Sequence, residues 1–588
     1  MAQFLLPQND PARNRAARVA QGLADCPLLF DKEFPRSSVT PAYAAAPAAY
    51  GVEALKSLFK RRSSIQTIKS DSGFTFSRDL PQTPLGNLVN MMRQGQIGKL
   101  NDYYAPDLGP VLPSGRPRVI HDYDRLFIKD AIPELAQTID GSDSVQNDAF
   151  THTFLAGSDP YSLQQVNQIP GKFPFSERHF QTIPQAPGDS LAAALRAGRV
   201  YMLDYEALGA LENGHHPQQP KYIYAPMAAF AVHQTTGSLR PFAIQTGQNP
   251  SGREIYTPLD AWSWKIARGI VQAAANTLSV TVHHLCHTHL VCEAFALATY
   301  RHLATNHPVR GLLLPHFVNT LDINRGAFES LINADQFVDR IVGSSYPSTM
   351  KLVQHVRLQF DFKANYFPEK FRRRGTLNAA TLPNYPVRDD GLLLWQAIET
   401  WVTDYVYAYY RDEQALLQDQ EIAAWAREIG SSDVGKIKNF GRGDGTLGSR
   451  ADLISSLTMI IFTAGPSHAI VNFAQRTDMA YQPTSPLAGY IPEITGKGHT
   501  EQNWVDFLGP IDVALVQQSF FLLLGSVYYS KLGQYGDLFN KPDPGIKDAL
   551  ARFQANLADI EAKIAARNKM RKPYEHLLPS RIPQSVNI

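Results

Sequence analysis

Between residues 283 and 316 the chain reads HHLCHTHLVCEAFALATYRHLATNHPVRGLLLPH, with histidines crowded at the start of an otherwise apolar, helix-forming run. A histidine cluster on an apolar helix points to a metal ion held in the core. His284 and His289 are i and i+5, which an ordinary α-helix turns about 140° apart, too far round to share an ion. A local widening toward π geometry would return them to one face, and such bulges occur mostly at functional sites. His283 and His287, at i and i+4, need no bulge, so spacing leaves both pairs open.

A second apolar run, Ser455 to Gln475, contains no Asp, Glu, Lys or Arg. Its length raises the question of a membrane span. Gly465-Pro466 interrupts it, and Ser455, Ser456, Ser467, His468, Asn472 and Gln475 are too polar for lipid, so a buried core helix is expected. His468 and Asn472, at i and i+4, share a face and suit two ligands of one ion.

The letters around these residues carry a resemblance. His284, His289, His307 and His316 stand in the order His-x4-His-x17-His-x8-His, and His289 is followed by LVCEAFALATYRHL; further on come Ile323, Asn324, Ala327, Ser330, Leu331, Ile332, Asn333 and Ala334. The run His468-Ala-Ile-Val-Asn472-Phe-Ala-Gln475 and the final PYEHLLPSRIPQSVNI complete the pattern. Together they resemble the lipoxygenase family. The resemblance implies a mainly α fold: a helical catalytic domain over residues 86–588 with a small inserted β-sheet, of the bacterial, single-domain type lacking the N-terminal β-barrel. It implies His284, His289, His468, Asn472 and the terminal carboxylate of Ile588 as ligands of one non-haem iron, with manganese served by the same donors. Gln475 is implied to hydrogen-bond behind them, and His307 and His316 to pack or hydrogen-bond without touching the ion. His283, His287 and His302 get the same structural reading.

The implied activity is dioxygenation of polyunsaturated fatty acids bearing a cis,cis-1,4-pentadiene. Three neutral imidazoles and a single carboxylate leave Fe(III) short of negative charge and therefore oxidising. Its hydroxide can then take hydrogen from the weak C–H bond between the double bonds, after which O2 adds. The resemblance makes Leu331 the side chain over the reacting carbon, Val338 a wall of the same channel, and Ala327 the position where Ala accompanies S oxygenation. A hydroperoxide isomerase on the same fold, or a lipid-binding protein without turnover, are the rival readings. Four positions depart from the family pattern: Asp159 stands for Asn, Arg268 for Lys, Ala294 for Pro and Ala474 for Gly.

Outside these motifs the chain bounds its own partners and surroundings. A net charge of +2 gives no reason to expect nucleic acid, and Cys26, Cys286 and Cys292 form no CxxC pair, which favours a reducing compartment. The first residues hold too short an apolar run for a signal peptide, so the cytoplasm or its membrane face is expected. Residues 1–85, rich in Ala, Pro, Ser and Arg, read as an N-terminal extension in which Glu53 to Arg62, EALKSLFKRR, can wind into a basic amphipathic helix that either packs on the main domain with its charges in water or lies on an anionic membrane. GRVYMLDY from Gly198 and the segment Tyr222 to Thr246 read as strands joined at Thr235-Thr236-Gly237. Near the end, Ile546 to Asn568 places Ile546, Leu550, Phe553, Leu557, Ile560 and Ile564 on one helical stripe that can anchor the tail.

Overall fold

Two long helices without a polar face have only one stable place, the middle of the protein, and they occupy it. The structure is a computed structural model that describes residues 4–24, 26, 28–30, 37–39, 117, 119–127, 133–215, 219–318, 320–524, 530–535 and 546–586. The first central helix runs through Ala261–Leu278, a π segment Ser279–Leu290, and Val291–His302. The second runs through Arg450–Phe462, a π segment Thr463–Ser467, and His468–Asp478. This second helix is long and apolar enough to cross a membrane, but its apolar window is 94% buried inside the fold, as expected of a core helix.

Both central helices widen, and the chain supplies hydroxyls where they do. A π turn strands backbone carbonyls that an α-helix would have paired. Thr281 donates to the carbonyl of Thr277 at 2.6 Å and Thr288 to that of His284 at 2.5 Å. In the second helix Thr463 donates to Met459 at 2.7 Å, and Pro466, which has no N–H to lose, sits inside the widened turn.

The surrounding elements pack on this pair. Pro386–Tyr409 lies against Arg450–Phe462 on one side and Ile546–Asn568 on the other. Ile546–Asn568 spans the residues its stripe predicts, burying Ile546, Phe553, Leu557, Ile560 and Ile564 while Leu550 is half-buried. Thr320–Ser330 and Tyr346–Leu358 contact the first π segment, and Ile511–Leu524 covers His468–Asp478.

The inserted sheet has four antiparallel strands in the order Gln164–Gln165, Val200–Asp204, Met227–Val232, Leu239–Gln245, the last two joined by the expected hairpin. Met227–Val232 is buried throughout because both faces are covered. Ala228 and Phe230 point to the main core, while Ala229 and Ala231 point to a separate cluster with Phe173, Phe175, Phe180 and Phe242.

The first described residues belong to the same body. Ala12–Ala24 packs on Val291–His302, and Phe4 and Leu6 enter the main core. Arg15 is buried and forks onto both carboxylate oxygens of Glu421, at 2.5 and 3.0 Å. The basic stretch Glu53 to Arg62 lies outside the described residues.

Gly391 shows how closely these helices approach. An added Cβ there would overlap the Phe367 ring. Gly-to-Ala inside a helix ordinarily stabilises by about 0.5–1 kcal/mol, but overpacking a tight core costs about 1–3 kcal/mol, and here the second effect wins. Gly391→Ala is therefore expected to lower the midpoint of denaturant unfolding; a raised midpoint would refute the packing described.

Candidate metal centre

The first π segment brings the i, i+5 pair together. His284 Nε2 stands 3.1 Å from His289 Nε2 and 3.2 Å from His468 Nε2, with all three residues at most 5% exposed. Their ligand atoms lie within 4.8 Å of one another, and theirs is the one such group among the described residues. Burial, followed by the neighbouring His289 and His468, holds His284 well below the ordinary histidine pKa. It is thus neutral, the form that offers a lone pair to a metal.

The far nitrogens are oriented as ligation requires. Asn324 Oδ1 lies 2.7 Å from His289 Nδ1, so Nδ1 carries the proton and donates, leaving the Nε2 lone pair facing inward. Asn324 is itself fixed by its amide nitrogen, which donates to the His289 carbonyl at 3.0 Å and to Glu293 Oε1 at 2.9 Å. Gln475 Nε2 lies 3.0 Å from His284 Nδ1, while Gln475 Oε1 is buried with no partner. Turning that amide over lets Oε1 accept from Nδ1–H and frees the His284 Nε2 lone pair as well.

Asn472 lies one turn beyond His468 on the same buried face, its amide nitrogen donating to the Leu524 carbonyl at 2.9 Å. Its Oδ1 is buried without a partner. An orphaned amide oxygen beside three convergent imidazoles fits a cation. The donor set present, nitrogen and oxygen without thiolate, matches a redox-active non-haem metal better than structural zinc.

The competing pair takes no part. His283 and His287 have ring centroids 5.9 Å apart, and His283 Nε2 lies 3.2 Å from Asp159. Asp159 is fully buried and also accepts from Tyr205 at 2.7 Å and Ser162 at 2.7 Å. His287 is held well below the ordinary histidine pKa by burial and then by Lys370, with Arg374 and Arg357 adding to it. The two rings do not converge on one point, and His283 is engaged by Asp159 instead.

The remaining signature histidines build the frame. His307 sits between Asp419 Oδ2, 3.0 Å from Nε2, and the backbone N–H of Val309, 3.1 Å from Nδ1. His316 faces the Gln584 carbonyl through Nδ1 at 2.7 Å, so Nδ1 is the donor and Nε2 accepts from the Tyr535 hydroxyl at 3.0 Å, which in turn accepts from Trp401 Nε1. Burial brings His316 down to about 4, keeping it neutral in this relay. His302 lies 2.6 Å from Glu428, away from the centre.

The tail is drawn toward the metal helices. Thr320 donates to the Val586 carbonyl at 2.9 Å and Ser585 to that of Val318 at 3.0 Å. Val586 packs with Cys292 and Ala464, which stand one turn from His289 and His468 respectively. Ile588 lies outside the described residues.

Asn324 also locates the expected channel residues. Ala327 and Leu331 follow it at i+3 and i+7 and so share its side of Thr320–Ser330 and the turn beyond. Both are half-buried, with Leu331 N bonded to the Ala327 carbonyl at 2.8 Å. Val338 is buried and bonds the Leu331 carbonyl at 3.0 Å.

A buried three-histidine centre on a mainly helical frame defines the class as non-haem metal proteins. The lipoxygenase profile matches residues 118–585. A linoleate 9/13-lipoxygenase of Pseudomonas aeruginosa is 39% identical over 478 residues, 78% of this chain and 68% of the relative. The human polyunsaturated fatty acid lipoxygenase ALOX15B is 32% identical over 451 residues, 75% of this chain and 66% of the relative. The alignments thus span about two thirds of these relatives' own length. An anaerobic crystal structure of a LOX variant in complex with arachidonate superposes with a TM-score of 0.83, covering 100% of this chain and 84% of the other at 24% identity, a likeness of fold. The chain belongs to the lipoxygenase family.

The sequence pattern contains Asn324 without revealing its role; the signal it offers is a lone Asn in a helix that contacts the histidine helix. Asn324→Ala is expected to lower metal affinity by about 10–100-fold, as outer hydrogen bonds to ligand imidazoles generally do. Metal retention under graded chelator would measure it, and unchanged retention would show that Asn324 does not support His289.

Proposed function

We propose that the protein is an iron dioxygenase that converts polyunsaturated fatty acids with a cis,cis-1,4-pentadiene and O2 into conjugated-diene hydroperoxides. The observation that carries this reading is the convergence of His284, His289 and His468 in a desolvated pocket, with an orphaned Asn472 oxygen beside them and the tail led to within two residues. The carboxylate of Ile588 is proposed to complete the ligand set. When bound, iron supplies the one-electron oxidation that accompanies loss of hydrogen from the doubly allylic carbon. Manganese is the alternative ion for the same donors.

The chain's own residues do the rest. Asn324 and Gln475 hold two imidazoles in the tautomer that ligates, and Asn472 adds an oxygen that a flexible metal site can take or release. Leu331 and Val338 position the pentadiene, and Ala327 shields one end of it from O2, which gives S products. The same site supports a second reading, since one relative at 31% identity is the human hydroperoxide isomerase ALOXE3.

Incubating iron-loaded protein with linoleate or arachidonate should produce conjugated-diene absorbance matched by O2 uptake, with S configuration on chiral chromatography. Epoxyalcohols formed from added hydroperoxide without O2 uptake would assign the isomerase instead. His289→Ala and deletion of Ile588 should each abolish metal and turnover; full metal content in either would remove that residue from the ligand set.

The residues Glu53 to Arg62 are proposed to rest on an anionic cytoplasmic membrane face, each Lys or Arg there contributing about 1 kcal/mol. Deleting residues 53–62 should reduce sedimentation with phosphatidylserine vesicles and leave turnover of dispersed substrate intact. Equal sedimentation would end that proposal.

A further inference from the structure

Away from the metal helices' meeting point, a cleft of about 300 Å³ opens between Asp143–Leu155, Ala261–Leu278, Glu134–Asp140 and Glu501–Phe507. Its walls are mixed: Leu135, Ile139, Phe150 and the indoles of Trp262 and Trp504 form an apolar part beside polar and charged side chains that include Lys265. Gln272 lines it twelve residues before His284 on the same helix, roughly 18 Å along the axis at 1.5 Å per residue. The cleft is therefore separate from the metal centre.

Three polar atoms in its lining are buried and have no partner: Arg268 Nε, Trp504 Nε1 and Gln272 Oε1. The three residues are only 8%, 5% and 5% exposed. Such orphans are rare in native interiors and mark a missing ligand when they cluster. Arg268 is also fixed in place. Its Nη2 donates to Gln146 Oε1 at 2.9 Å, and the Gln146 amide is pinned by the carbonyls of Ile139 and Gly141 at 3.1 and 2.8 Å.

Among the described residues no carboxylate is within ion-pair distance of this guanidinium; burial, only partly offset by the more distant Asp143, brings its pKa down to about 10, so it stays charged. A desolvated and fixed cation without a direct ion pair leaves room for an anion. Trp504 Nε1 is a donor only, so it and Arg268 Nε are the two that can meet an anion, while the Gln272 amide nitrogen is already held by Thr153 Oγ1 at 2.9 Å and the Thr484 carbonyl at 3.5 Å. Asp140 and Glu501 in the lining offset Lys265, so the net field suits a singly charged headgroup. The aromatic walls ask for an apolar body behind the charge.

We propose that this cleft is a second ligand site, which takes a monocarboxylate with an apolar tail, its two oxygens on Arg268 Nε and Trp504 Nε1 and its tail between Trp262 and Phe150. The inference does not depend on the chemistry at the metal.

Calorimetric titration of the metal-loaded full chain with decanoate, which has no diene to oxidise, tests it. Saturable binding is expected, weakened at least tenfold by Arg268→Gln and by Trp504→Phe, the latter keeping an aromatic ring in place should the former fail to fold. Decanol, with the tail and no charge, should bind at least tenfold more weakly than decanoate, as should acetate, with the charge and no tail. A component that persists in both variants belongs to the reaction channel. Decanoate binding equal in both variants and the parent, absence of decanoate binding, or decanol or acetate binding as tightly as decanoate would each overturn the proposal.

Discussion

The widened turn at Ser279–Leu290 is the constraint on which the rest of the architecture depends. In regular α geometry His284 and His289 diverge, and neither could meet a ligand from a second helix on the same point. The extra residue per turn aligns them, and the energetic debt of unpaired carbonyls is met locally by Thr281 and Thr288. The segment lies in the core, where these two hydroxyls supply the hydrogen bonds that bulk water supplies at a surface. The second central helix repeats the device at Thr463–Ser467, where its own widening delivers His468 and Asn472 to the same point.

Burial then sorts charge between the two sides of the first helix. On the face of His284 and His289 the neighbours are neutral donors and acceptors, chiefly Asn324 and Gln475, which fix tautomers without competing for the ion. On the face of His287 the neighbours are Lys370, Arg374 and Arg357. Both faces carry histidines in pairs, but only on the first do ring nitrogens converge with a third from the second helix. On the other, burial brings Lys370 down to about 7. The substitution of Asp159 for Asn belongs to the same side, where its carboxylate faces His283 and collects Tyr205 and Ser162.

Elements with a local signature were legible in the sequence. Ile546–Asn568 follows from a 4,3,4,3,4 apolar stripe, the hairpin from its Thr-Thr-Gly turn, and the buried character of Arg450–Asp478 from Pro466 and its polar residues. The docking of Ala12–Ala24 was not legible, because it rests on Arg15 meeting Glu421 across most of the chain, a pairing no local pattern encodes. The role of Asn324 was hidden for the same reason: a single polar residue on a helix is ambiguous until the helix is placed beside its partner. The cleft around Arg268 is a still clearer case, since its donors come from separate segments and only their common lack of partners distinguishes them.

What the sequence determined by itself was the identity and spacing of the metal-facing groups, since periodicity and residue chemistry are properties of neighbours along the chain. Only the tertiary structure decided which histidine pair faces the second helix, which amide stands behind each imidazole, and where the tail is led. Those outcomes depend largely on contacts across 184, 191 and 266 positions of the chain, which no local pattern encodes.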